Sequence, residues 1–200
     1  MDVSFDAFVA DVVALIEALR LSPALLIGQS LGGQTAFLVA ARRPDLVRAL
    51  VVAEASPSPT SPETVESVRD WLEEWPVPFQ SPAAARAFFG GETAVGRAWA
   101  SGLEERDGGW WPSFDDDIVV AALSPTVGQG YWDEWKRIEC PTLVVRAGEG
   151  TLPEADAGRM VASLRKASLS EIPGAGHDVH LEAPAEWRAA VEGFLLSFAA

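Results

Sequence analysis

The sequence predicts an α/β protein with about four parallel strands and flanking helices. Short continuous apolar runs recur at residues 24–28, 47–53 and 141–147, with a weaker one at 167–172. Runs of that length and composition suit strands covered on both faces. Stretches with apolar residues at helical spacing stand between them, and strands alternating with helices imply parallel βαβ units.

Residues 4–19 carry Val9, Val12, Val13, Ile16 and Leu19 on one helical face, with Ser4 placed as the N-cap. The strand 24–28 leads into a helix over 31–43, Pro44 interrupts it, and the strand 47–53 follows. Beyond 140, strands at 141–147 and 167–172 alternate with helices expected over 153–164 and 184–198.

Between 57 and 139 the pattern changes. Ser56, Pro57, Ser58, Pro59, Thr60, Ser61 and Pro62 form a turn-rich boundary. Short helical stretches follow, with Trp71, Trp75, Trp99, Trp110, Trp111, Trp132 and Trp135. The expectation is a core of 1–56 with 140–200, interrupted by a Trp-rich helical cap or lid over 57–139. Trp71/Trp75 and Trp132/Trp135 sit at same-face spacing, which favours core packing for most of them. A lid lined by a few aromatics would also make an apolar substrate pocket.

Composition narrows the function classes. The 200 residues carry a formal net charge of −14 and 48% hydrophobic residues. That charge repels phosphates, so neither nucleic acid nor an anionic membrane is an expected partner. No apolar run approaches the roughly 20 residues of a membrane span. Cys140 is the lone cysteine, in an apolar context before a strand, and reads as a small core residue. A cytoplasmic setting fits. No metal-ligand cluster or phosphate-binding glycine loop stands out, so no cofactor and no metal are implied.

Gly28, Gln29, Ser30, Leu31 and Gly32 match G-x-S-x-G, a cheap pattern alone. Here it follows an apolar strand and opens a helix rich in small residues, Gly33 and Ala36 among them, which is the context a nucleophile elbow requires. The serine then sits in a strained turn, flanking glycines let strand and helix approach, and the helix N-terminus favours developing negative charge. Ser30 is the expected nucleophile.

From this elbow to the C-terminus the chain resembles the α/β-hydrolase family. Pro173, Gly174, Ala175, Gly176 and His177 look like the family's histidine loop after the last strand. The resemblance implies that His177 is the general base, while His180, where a helix begins, stiffens the loop. The acid is open between two glutamates. Glu149 is the sole carboxylate in the turn where the family usually carries its acid, a turn about one residue short here. Glu54 ends the strand after the nucleophile helix, where the similar haloalkane dehalogenases place theirs, although their nucleophile is an aspartate. Either preserves the order Ser, acid, His. Glu54 is preferred because it sits on a strand end, and is then expected within hydrogen-bond reach of the His177 ring.

The family has four strands before the nucleophile strand, and a loop among them supplies the second oxyanion donor. Residues 1–20 are spent on one helix, so the resemblance implies a partial, N-terminally truncated fold. The Leu31 N–H remains as an oxyanion donor. Strand 24–28 would be a bare apolar edge, and such edges recruit another chain, so a homodimer through that edge is expected. The expected function is a cofactor-free serine hydrolase acting on a small apolar ester or similar carbonyl substrate. The alternatives are a C–C bond hydrolase or haloperoxidase-like enzyme, and a catalytically silent remnant acting as a binding module.

Overall fold

Each continuous apolar run of the sequence becomes a strand of one parallel sheet in the computed structural model, which describes residues 2–197. The expected helix end at Phe198 lies outside the described residues. The chain runs α1 (Phe5–Ala18), β1 (Ala24–Gln29), α2 (Leu31–Arg42), β2 (Val47–Ala53), α3 (Pro62–Glu73), α4 (Pro82–Phe88) and α5 (Ala94–Ser101). It continues through β3 (Leu103–Arg106), β4 (Gly109–Pro112), α6 (Asp116–Leu123), α7 (Trp132–Trp135) and β5 (Thr142–Ala147). It closes with α8 (Glu154–Ala162), β6 (Ala167–Ile172), α9 (Val179–Glu182) and α10 (Pro184–Leu196).

Two compact units result. One is formed by the chain up to Pro59 and from Gly128 onward, the other by Thr60–Val127. The first holds a four-stranded sheet of order β1-β2-β5-β6, every neighbouring pair parallel. β2 and β5 are central, so their alternate residues must serve two faces. Leu50, Val52 and Val144 face a core with Phe37, Leu38 and Val39 of α2 and Met160 of α8. Val51, Ala53, Leu143 and Val145 face a second core with Val179 of α9 and Val191 of α10. This two-sided burial is why both strands read as unbroken apolar runs. Ser4 caps α1 as expected, its side chain accepting from the Ala7 N–H at 3.2 Å.

β1 has one strand neighbour in this sheet, β2. Along its other side lies a groove of about 440 Å³, lined by Phe8, Val12, Leu26, Ile27, Leu31 and Thr35 among others. Ile27 there is 49% exposed. Among the described residues no helix is long and apolar enough to cross a membrane.

The second unit packs its own core. Trp75 sits at its centre, with ring centroids 4.6 Å from Phe89, 5.0 Å from Trp71 and 5.7 Å from Trp99, all edge-on. Beside the short helices stands an antiparallel hairpin of β3 and β4, which the sequence reading did not expect. Its turn is Asp107-Gly108, both at positive φ (51° and 76°), the backbone that a two-residue hairpin loop demands.

The units divide inside the expected 57–139 span, and residues 128–139 belong with the sheet. Trp135 is fully buried there, its ring edge-on to Phe37 at 5.5 Å and its indole N–H donating to the Met160 carbonyl at 2.9 Å. Trp132 lies under the Arg159 guanidinium at 3.7 Å. Helical spacing shows that the two tryptophans share a face. It does not show which core that face meets.

Candidate active site

The turn from β1 into α2 is strained at one residue. Ser30 holds φ 52° and ψ −123°, a region that non-glycine residues rarely occupy. Neighbours hold it there: the Ser30 N–H donates to the Ala53 carbonyl at 2.9 Å, and the Gln34 N–H donates to the Ser30 carbonyl at 3.0 Å. A Cβ on Gly28 would lie 2.2 Å from the Gly32 carbonyl oxygen, and one on Gly33 would lie 3.0 Å from the Ala55 Cβ. Those two glycines let the strand and helix close on each other. Gly32 differs from the expectation, since a Cβ there would meet open space. Leu31 opens α2, and N–H groups of a first helical turn have no intrahelical acceptor.

Because β1 and β2 are parallel neighbours, the residue after β2 arrives beside the residue after β1. That residue is Glu54, also at positive φ (50°), its side chain 0% exposed. Its carboxylate is held by the turn after β5, accepting from Ala147 N–H at 2.7 Å, Thr151 N–H at 2.5 Å and Leu152 N–H at 3.2 Å. Burial pushes its pKa up, but the neighbouring His177 and the three backbone donors more than offset this and hold it below the ordinary glutamate value. It is therefore a buried, ionised acceptor at neutral pH.

Glycine at position 150 is explained by this carboxylate. A Cβ there would lie 2.1 Å from Glu54 Oε2. Gly150→Ala is expected to displace Glu54, lowering stability by about 1–3 kcal/mol. Gly158→Ala, in α8 with nothing near the added carbon, is expected to stabilise by roughly 0.5–1 kcal/mol. Thermal melting of the two variants checks the contrast.

Glu149 takes no part in this arrangement. It is exposed, and among the described residues its carboxylate makes no hydrogen bond or ion pair, while its backbone N–H donates to the Ala175 carbonyl at 2.9 Å.

His177 stands in the loop after β6, its side chain 40% exposed. Its Nδ1 lies 2.9 Å from Thr151 Oγ1 and 3.6 Å from Glu54 Oε2, so the expected Glu54–His177 hydrogen bond is not made directly. Gln29 Nε2 donates to the His177 carbonyl at 2.9 Å, tying the loop to the residue before Ser30. Glu182 stiffens the loop by accepting from Gly176 N–H at 2.8 Å and Asp178 N–H at 3.1 Å. The His180 ring stands edge-on to Trp187 at 6.2 Å. No hydrogen bond joins Ser30 Oγ to the His177 ring among the described residues.

Ser30, Glu54 and His177 thus converge at one end of the sheet, with Leu31 beside them. Gln29, Thr151 and Glu182 had not been singled out from the sequence. No group of three or more His, Cys, Asp or Glu side chains among the described residues is placed to hold a metal ion. Burial pushes the Cys140 thiol up, as for a packed rather than a reactive cysteine.

A family model described as alpha/beta hydrolase fold matches residues 2–184. Among curated proteins, the chain is similar to the mouse sn-1-specific diacylglycerol lipase ABHD11, with 28% identity over 97% of this chain and 66% of that protein. It is also similar to the mouse serine hydrolase BPHL, at 25% identity over 96% of this chain and 61% of that protein. The chain therefore spans under two thirds of the length of these relatives. The crystal structure of E-2-(acetamidomethylene)succinate hydrolase matches with a TM-score of 0.86, covering 98% of this chain and 75% of that one. Its identity is 23%, so this likeness bears on the fold alone.

Proposed function

The chain belongs to the alpha/beta hydrolase fold family, and from that premise we propose that it is a cofactor-free serine hydrolase acting on a small apolar ester. Ser30 Oγ attacks the carbonyl carbon while His177 Nε2 takes its proton. The tetrahedral oxyanion is held by the Leu31 N–H, supported by the start of α2. The intermediate collapses to an acyl-Ser30, and the alcohol leaves with the proton from Nε2. Water then repeats the sequence and releases the acid. Glu54 holds the imidazole in the required tautomer and stabilises the imidazolium that forms. The observation that carries this reading is the buried, ionised Glu54 facing His177 Nδ1, one residue past the strand whose carbonyl anchors Ser30.

The relatives support the reaction class, being named a diacylglycerol lipase and a serine hydrolase. A reducing, cytoplasmic setting belongs to the same proposal, with Cys140 the lone cysteine. A second reading is favoured by one observation: 26% identity, over 92% of this chain, to the 2-(acetamidomethylene)succinate hydrolase of Mesorhizobium japonicum. On that reading the same residues act on a different carbonyl compound. Product analysis separates them. Incubation with p-nitrophenyl butyrate is expected to yield butyrate and p-nitrophenol well above the buffer rate. No release above buffer would reject the esterase reading and leave two: action on a different carbonyl compound, or a silent binding module that a fluorophosphonate does not label.

A further inference from the structure

We infer that Thr151 is a positioning residue, its hydroxyl bridging Glu54 to His177 and so fixing which ring nitrogen carries the proton; this rests on the hydrolase reading above. The direct separation of Glu54 Oε2 and His177 Nδ1, 3.6 Å, is too long for a hydrogen bond. Thr151 Oγ1 fills the gap, 2.9 Å from Nδ1 and 3.4 Å from Oε2.

Proton bookkeeping sets the directions. An ionised Glu54 can only accept, and a hydroxyl has a single proton to give. If Thr151 gives that proton to Oε2, its oxygen must accept from Nδ1. Nδ1 then carries the ring proton, and Nε2 keeps the lone pair that a base toward Ser30 requires. The reverse direction would protonate Nε2 and leave Glu54 without a link to the ring. The Thr151 backbone N–H also donates to Oε2. One residue therefore clamps the carboxylate with its main chain and addresses the imidazole with its side chain.

The site is exposed at Thr151, so Thr151→Val, which keeps the shape and deletes the hydroxyl, is expected to fold. The test is ¹⁵N NMR of the 200-residue chain at neutral pH, where only His177 and His180 contribute imidazole signals and a His177→Gln spectrum assigns them. The wild type is expected to show His177 as a single Nδ1–H tautomer. Thr151→Val is expected to lose that single tautomer, and Thr151→Ser to retain it. On p-nitrophenyl butyrate, Thr151→Val is expected to lower kcat roughly tenfold, the worth of one hydrogen bond, with KM unchanged, and Thr151→Ser to restore kcat. A wild-type His177 protonated at Nε2 would overturn the bridge without any variant. So would a Thr151→Val protein that keeps the Nδ1–H tautomer. A chain without esterase activity whose tautomer still follows the Thr151 hydroxyl would keep the bridge and reject the hydrolase reading.

Discussion

On the proposed function, Glu54→Gln is expected to lower ester turnover by about four orders of magnitude, the loss seen when a Ser-His-Asp triad exchanges its acid for the amide. Glu149→Gln is expected to leave turnover unchanged, since that side chain is exposed and touches nothing in the site. The first substitution also disturbs folding. A glutamine offers one oxygen to a turn that presents three N–H donors to Glu54, and its amide N–H₂ would face donors rather than acceptors. A cost of about 1–3 kcal/mol follows. Its pH dependence has a definite sign. The folded-state pKa of Glu54 is depressed, so the stability it supplies is fully present above the ordinary glutamate value of 4.5 and is lost as pH falls through the lower folded value. Melting curves of wild type and Glu54→Gln should therefore differ most at neutral pH and converge on acidification. A gap that widened below pH 4.5 would contradict an ionised Glu54 in the folded protein.

Ser30→Ala is expected to remove ester turnover almost entirely, on the order of 10⁶ as where the nucleophile of a serine protease has been deleted. Its melting temperature should barely move. The Ser30 side chain makes no capping hydrogen bond, and alanine bears the same backbone strain at φ 52°. Ser30→Gly separates strain from chemistry. Glycine adopts that φ without penalty, so this variant is expected to be equally inactive and slightly more stable than wild type. Turnover of p-nitrophenyl butyrate by purified Ser30→Ala at the wild-type rate would end the nucleophile assignment.

The parts of the fold that are legible in the sequence share a physical cause: they bury side chains on a fixed period. β2 and β5 are apolar on both faces because each face meets its own core, and a continuous run records that directly. The Ser30 elbow is legible because close approach of strand and helix demands glycine at 28 and 33. Preference for Glu54 over Glu149 rests on a strand-end position set against a shortened glycine loop, and the parallel pairing of β1 with β2 is what brings that position beside Ser30. Thr151 and its neighbours were not legible. Backbone N–H donors leave no mark in a sequence, and a lone threonine in a loop has no period. The turn that holds Gly150 did leave a mark, but as an apparent defect, a loop about one residue short. In the structure the Glu54 carboxylate lies against that turn, where a Cβ on Gly150 would come within 2.1 Å of Oε2. The β3–β4 hairpin was missed although Asp107-Gly108 signals a tight turn. Its flanks, Leu-Glu-Glu-Arg and Gly-Trp-Trp-Pro, lack the alternation that marks a half-buried strand. Trp132 and Trp135 went to the sheet core because shared helical face does not specify its partner.

Covalent labelling reaches the central assignment most directly, because it needs no knowledge of the substrate. A fluorophosphonate reacts with a serine only when a neighbouring base takes its proton, which is the arrangement proposed for Ser30, His177 and Glu54. Treating the purified chain, digesting it and locating the adduct by mass spectrometry is expected to place one phosphonyl group on Ser30, and to find it strongly diminished in Glu54→Gln. An unlabelled Ser30, or an adduct that forms equally well without Glu54, would contradict the assignment.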